Sequence, residues 1–315
     1  MTWTLRLGLI AACGLWLAAP ARSATFFFST GNPDGKLGAL TRPASTGKLE
    51  TETADDFVLL ETTAISQAII SGIIVATTPL GNISQVEVEL YHIFPQDSDT
   101  TRTPQVNTRV NSPSDVEIGA ATRDSLAETL SFSSTLLNGS FEVANSVVNG
   151  INKAPNQHTG GEGARTGEEV AITVNFTTPI ILPAGHYFFR PEVEITSGDF
   201  LYLSAPRPIV FPGTPFPAGF TDLQAWIRNS NLAPDWSRIG GDIIGTNGVG
   251  PTFNMTFSVN GDTIPEAGTP GADNCHGKTV SALAHEFGGM NGAAEALGAS
   301  SVDALQEAIN LFCGL

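Results

Sequence analysis

The chain is poor in cysteine and in charge, and beyond its amino terminus it has no long apolar run. Three cysteines stand among 315 residues, and Cys13 lies within an apolar leader, so only Cys275 and Cys313 remain for the folded protein. Basic side chains are scarce, 15 Lys and Arg against 31 Asp and Glu. That balance repels nucleic acid and anionic membrane surfaces, which are excluded as partners. The familiar reaction motifs are missing as well. No Gly-x-Ser-x-Gly elbow is present and no phosphate loop. Gly160 to Gly167 is glycine-rich but lacks the lysine, and Glu168 and Glu169 beside it would repel phosphate, so it reads as a hairpin loop. The histidines are His92, His158, His186, His276 and His285, none at ligand spacing from another. His285-Glu286 begins like a zinc-protease helix, but Gly289 stands where the second histidine would be needed. No motif names a reaction.

What is present first points to export. Met1 to Arg6 carries one positive charge, Leu7 to Ala19 is apolar, and Pro20 to Ala24 supplies small residues suited to a signal peptidase. The run is too short to span a bilayer, so residues 1–24 are expected to be a removed signal peptide, leaving no membrane span. Ile10-Ala11-Ala12-Cys13 faintly resembles a lipoprotein site, but Leu15-Trp16-Leu17 stays apolar where such a site turns polar. Loss of Arg6 and Arg22 leaves 13 basic against 31 acidic residues, a net charge of −18. The expected location is secreted, periplasmic or cell-surface.

Alternation then announces strands. Val86, Val88 and Leu90 share a face with Glu87 and Glu89 opposite; Val170 to Phe176 and Phe253 to Val259 repeat the pattern. One dry and one wet face is the mark of antiparallel sheets packed as a sandwich. Shorter candidates are Thr25–Ser29, Asp56–Leu60, Ile65–Val75, Leu130–Ser133, Phe141–Val147, His186–Ile195, Phe200–Ser204 and Leu223–Arg228. With 33 Gly and 20 Pro in the chain to supply many turns, the fold class is mainly β: a jelly-roll-like antiparallel sandwich over residues 25–261. A Gly/Pro/Thr-rich linker, residues 262–274, should be extended and exposed.

Helical periodicity appears only in residues 275–315. Val280, Leu283, Ala284 and Phe287 form one stripe, Ala293, Ala294 and Leu297 a second, and Val302, Leu305, Ile309 and Phe312 a third, with Ser300 to Asp303 resembling a capping box. A unit this short buries little surface alone, and a Cys275–Cys313 disulfide would close a 38-residue loop worth about 4 kcal/mol on the chain-entropy argument. Because the linker severs the two patterns, a chain ending at Gly261 is expected to keep a folded sandwich.

Thr53-Ala54-Asp55-Asp56-Phe57-Val58 resembles the Ala-Asp-Asp-Phe strand of a group of bacterial secreted β-sandwich proteins. Leu182-Pro183-Ala184-Gly185-His186-Tyr187-Phe188-Phe189 is similar to their Leu-x-x-Gly-x-Tyr-aromatic turn and strand. Many members carry a PEP-type sorting signal; here Ile264-Pro265-Glu266-Ala267 is at best its relic, and the two-cysteine tail is instead similar to short terminal modules of other exported proteins. The resemblance implies fold and compartment rather than an activity.

Two candidate sites follow. Asp55-Asp56 is the pair with the clearest chemistry. Neighbours in a strand face opposite ways, so one could hold Ca²⁺ or brace a turn while the other faces water, and bracing is the favoured reading. The stretch Ala205 to Arg238 carries Pro206, Pro208, Pro212, Pro215 and Pro217 beside Phe211, Phe216 and Phe220, then Trp226 and Trp236. Rings on a stiffened loop beside Asp222, Arg228 and Asp235 suit stacking on sugar faces or partner side chains, while Trp226 reads as core. The expected function is a non-catalytic exported binding or surface module for a glycan or extracellular protein, with Phe211, Phe216, Phe220, Trp236, Arg228 and Asp235 as its contacts. The alternative is a secreted hydrolase working on polysaccharide through two carboxylates.

Overall fold

A computed structural model describes residues 24–75, 80–151, 157–245 and 249–315. The leader expected over residues 1–24 lies, but for Ala24, outside the described residues. The strands run in order β1 (Thr25–Ser29), β2 (Leu37–Leu40), β3 (Thr51–Leu59), β4 (Thr63–Val75), β5 (Ile83–His92), β6 (Arg123–Asp124), β7 (Leu130–Val143) and β8 (Asn145–Val147). There follow β9 (Arg165–Leu182), β10 (Gly185–Ile195), β11 (Asp199–Ala205), β12 (Trp226–Asn229), β13 (Ser237–Arg238), β14 (Asn254–Met255) and β15 (Phe257–Thr263). Three helices close the chain: α1 (Cys275–Glu286), α2 (Met290–Ala296) and α3 (Val302–Cys313).

The protein is mainly β, with two sheets face to face. In the first, β4 is the spine. β9 and then β7 lie along one edge, while β15-β1 and β11-β2-β8 share the other. The second runs β13-β12-β3-β10-β5-β6. All pairs are antiparallel except β2 with β8. The inner faces meet in an aromatic core, where Phe189 stacks on Phe257 at 4.9 Å and Phe57 lies within 6.4 Å of Phe28, Tyr187 and Phe257. Val86, Val88, Leu90, Val170, Ile172, Val174, Met255, Phe257 and Val259 all face this core, as their alternation requires.

The opposite faces are less simple than alternation suggests. Glu89, Asn254, Thr256 and Ser258 stand on the faces expected to be wet, yet all are buried. A second apolar layer of Ala54, Tyr91, Phe188, Leu223, Trp226 and Trp236 covers the outside of the second sheet, carried partly by the chain between β11 and β13. Polar residues of that sheet must therefore find partners inside the protein.

The helical tail is closed by the Cys275–Cys313 disulfide, Cα atoms 5.7 Å apart. Leu283, Leu297, Leu305, Ile309 and Phe312 make its core, joined by Ala64, Ile181 and Ile264 from the sandwich. The cap of α3 is Ser301, whose hydroxyl accepts the Ala304 amide at 3.0 Å, one residue beyond the expected Ser300. Two boundaries differ from expectation. β15 continues past Gly261 to Thr263, because Thr63 pairs with it there. The linker is not extended: Ile264 is buried, the Gly268 amide donates to the Thr279 hydroxyl, and Gly271 donates to the Cys313 carbonyl. A Cβ at Gly268 would meet the Cys275 carbonyl oxygen at 2.2 Å, which is why glycine stands at this close approach. The Gly160–Gly167 stretch is likewise tied down, by Glu162 accepting the amides of Val148, Asn149 and Gly150 at 2.7–2.8 Å.

Candidate functional site

The outer face of the second sheet carries a row of charge. Period-2 geometry brings Glu52 of β3, Arg190 and Glu192 of β10, Glu87, Glu89 and Tyr91 of β5, and Arg228 of β12 to one side. Arg190, 2% exposed, lies 2.5 Å from Glu89, 2.7 Å from Glu192, 3.0 Å from Glu52 and 3.7 Å from Glu87. Arg228 grips both oxygens of Glu52, donates to the Tyr91 hydroxyl at 2.9 Å, and lies 4.2 Å over the Trp236 ring. Burial would raise the Glu52 carboxyl, but the two guanidiniums outweigh it and hold it below the usual range. Glu192 is different: burial pushes its carboxyl well above the ordinary value despite Arg190. Glu87 is pushed up to about 7 by burial, aided by Glu89 and opposed by Arg190. A buried charge without partners is very costly, and this row is a set of mutual partners.

That geometry corrects half of the expected ligand contacts. Arg228 is committed to Glu52 and Tyr91. Trp236 is 2% exposed and donates its indole N–H to the Ser114 carbonyl at 3.0 Å. Asp235 is buried, accepts the Gln105 amide at 2.6 Å and pairs with Arg102 at 2.7 Å. None of the three can present itself to a ligand. The phenylalanines divide: Phe216 packs edge-on against Phe28 at 5.4 Å, and Phe220 meets the His186 ring at 5.8 Å, while Phe211 stands 95% exposed. Trp226 is buried, as expected of a core residue.

Asp55 and Asp56 brace. Asp55 Oδ2 accepts the Met255 amide at 2.7 Å; Asp56 Oδ2 accepts the Leu223 amide at 3.1 Å and bonds to His186 Nε2. Desolvation raises both carboxyls, Asp55 further because Asp56 adds repulsion, whereas the His186 bond works against the rise at Asp56. They point to opposite faces, and among the described residues no three His, Cys, Asp or Glu side chains gather as a metal would need. The Ca²⁺ reading of this pair is therefore set aside on geometry.

A cleft of about 350 Å³ opens where the segment around Thr108–Asn111, the chain from Arg207 to Trp226, Arg238 and Thr252 meet. Its charged members cancel. Arg207 donates to Asp222 Oδ1 at 3.1 Å and Asn254 Oδ1 at 2.7 Å, and Asn254 returns a bond to Asp222 Oδ2 at 3.1 Å. Arg238 holds Asp242 with two bonds, at 3.0 and 2.6 Å. Burial raises the Asp222 carboxyl, moderated by Asn254 and Arg207; at Asp242 the bonds from Arg238 and Asn107 outweigh burial and lower it. The remaining polar lining is uncommitted: Asn111, Thr221, Gln224 and Thr252 line the cleft with no side-chain partner among the described residues. Trp226 forms part of the wall, and its buried indole N–H has no acceptor among the described residues. The volume lies within the roughly 300–1,000 Å³ of small-ligand sites. Asp222 stands out in the sequence; Arg207 is signalled only as a lone cation between Pro206 and Pro208, and Gln224 by nothing.

No protein-family model matches the chain, and comparison with curated proteins gives no match either. Among the described residues no helix is long and apolar enough to cross a membrane.

Proposed function

We propose that this is an exported, non-catalytic binding protein whose cleft between Thr108–Asn111 and Arg207–Trp226 takes a neutral, hydroxyl-rich ligand, a segment of glycan. One observation carries the reading: uncommitted amide and hydroxyl side chains converge on a cavity of ligand size whose arginines are already neutralised by aspartates. Amides and hydroxyls pair with sugar hydroxyls in either direction, donating or accepting, without the cost of burying an unpaired charge. Among the described residues the cleft offers an anionic sugar no free cation, and the chain it would approach carries a net charge of −16. Phe211 stands exposed on the proline-rich loop that follows Arg207, a ring face open to stacking. The amino-terminal leader and the disulfide support placement outside the cytoplasm. The likeness of Ala54-Asp55-Asp56-Phe57 and Gly185-His186-Tyr187 to secreted bacterial sandwiches supports it too.

A carboxylate hydrolase would need two carboxyl groups facing one cavity some 5–10 Å apart. The cleft contributes Asp222, which Arg207 and Asn254 already hold. The test is an array of neutral and anionic oligosaccharides, followed by calorimetry on whatever binds. Neutral glycans should bind, and Gln224→Ala and Asn111→Ala should each weaken binding roughly 2- to 12-fold, as expected for one hydrogen bond of 0.5–1.5 kcal/mol. Sugar release in the same incubations, or binding indifferent to both substitutions, would defeat the reading.

A further inference from the structure

Backbone groups at a sheet edge are the most readily paired surface a β protein owns, and such edges are ordinarily kept short, charged, proline-bearing or covered. Most edges here follow that practice. β6 and β13 have two residues each and β8 three, while β1 is covered near its end by Thr214, whose amide donates to the Ser29 carbonyl. β7 does not. It runs 14 residues, Leu130–Val143, and among the described residues β9 is its only strand neighbour. It contains no Lys, Arg or Pro, and Glu142 is its single charge. Leu136 and Leu137, at the point where the ladder slips, are 46% and 53% exposed.

We infer that β7 is an assembly edge, and that its occupant is β7 of a second copy of this chain, joined antiparallel about Ser133. Charge selects the occupant's surface. Two copies of a chain at −16 repel over most of their area, but Leu130 to Phe141 carries no charge and can be brought together without that cost. Register selects the partner. β7 pairs regularly with β9 from Leu130 to Leu136, and the ladder slips after Leu136. The midpoint of the regular segment is Ser133. A two-fold axis there sets Leu130 opposite Leu136 of the copy, Ser131 opposite Thr135, Phe132 opposite Ser134, and Ser133 opposite itself. Every pair shares a face, as antiparallel strands require, and no like charges meet. The exposed Leu136 would then lie against the buried Leu130 of the partner and extend the core across the junction. Such an interface is isologous and closes at two copies, so it ends in a dimer rather than a fibre.

The test is sedimentation of the exported, disulfide-bonded protein, with Ser133→Lys and Ser133→Cys. Ser133 is exposed, so a lysine there is compatible with the single chain while placing two positive charges face to face across the axis. The expected results are a wild-type dimer, a Ser133→Lys protein of half that mass that keeps the circular dichroism of the folded chain, and a Ser133→Cys protein that cross-links on mild oxidation. Residues directly opposite in an antiparallel pair lie about 4.5–5.5 Å apart at Cα, within disulfide reach. Leu137→Cys, whose opposite residue is Thr129, should not cross-link to itself. A wild-type monomer at high micromolar concentration would overturn the proposal. So would a dimer that survives Ser133→Lys, or one in which the Ser133→Cys thiols stay free. Should Ser133→Lys fail to fold, the cysteine pair decides alone.

Discussion

Arg228→Met is expected to unfold the protein before it touches any ligand. The guanidinium holds both oxygens of Glu52, donates to the Tyr91 hydroxyl at 2.9 Å and lies 4.2 Å over Trp236. Glu52 is 2% exposed, so water cannot replace what is lost. Its remaining cation is Arg190, at 3.0 Å and already shared with Glu89 and Glu192. Removing one partner of a buried pair costs about 3–5 kcal/mol. Losing the cation–π contact adds about 1–2 kcal/mol for a desolvated site. Methionine restores part of the packing, so a net loss of about 3–5 kcal/mol is expected, read as a lower denaturant midpoint at unchanged slope. Adding Glu52→Gln to Arg228→Met should recover part of it, because the uncompensated charge goes too, with a coupling of about 1–3 kcal/mol. An Arg228→Met protein within about 0.5 kcal/mol of the parent, yet unable to bind, would return Arg228 to the ligand surface and refute this account.

Replacing Cys275 and Cys313 by serine should cost about 4 kcal/mol from the 38-residue loop, seen as early loss of helical circular dichroism; an unchanged melt would show that docking alone holds the tail. A chain ending at Gly261 loses the end of β15 and Ile264 and uncovers Ala64 and Ile181. Its melt should fall by an amount equivalent to about 2–4 kcal/mol, and an unchanged melting temperature would restore the view that the tail is separable. Stability should also depend on pH through Glu87. Its folded carboxyl is raised from 4.5 to about 7, so the folded state keeps a proton that the unfolded chain releases between those values. The stability it contributes is present below 4.5 and lost as pH rises through about 7. Glu87→Gln should flatten the melting temperature between pH 5 and pH 8, and an identical slope in the variant would exclude this group.

Much of the fold was legible because burial of one strand face imposes a period of two. Val86-Glu87-Val88 and Val170 to Phe176 needed only that rule, and the helical stripes around Leu283 and Ile309 needed only the period of 3.6. What escaped was set by residues far apart in sequence. Alternation starts a strand only at Asp56, yet β3 begins at Thr51, held there by β12 and by partners such as Arg228 for Glu52. Ser134 to Ser140 has little apolar content and belongs to β7 because β9 offers it a ladder. The same distance effect misplaced the site. A ring on a proline-rich loop can face water or the sheet beneath, and composition does not distinguish Phe211, which is exposed, from Trp236, which is not. The alternating charges His186, Arg190, Glu192 and Glu194 beside Glu87 and Glu89 were a readable hint that one face was laced by ion pairs. The cleft left only Arg207 between its prolines as a hint, since Asn111 and Gln224, which both line it, stand 113 residues apart.

The most direct measurement is the indole region of a proton–nitrogen spectrum of protein lacking residues 1–23, which retains Trp226 and Trp236 as its only tryptophans. Trp226 lines the cleft with an N–H that has no acceptor among the described residues, whereas that of Trp236 is bonded to Ser114. Titration with the tightest neutral oligosaccharide from the array should move the Trp226 signal and leave that of Trp236 in place. A bound oligosaccharide that moves neither signal, or only that of Trp236, would contradict a ligand in this cleft.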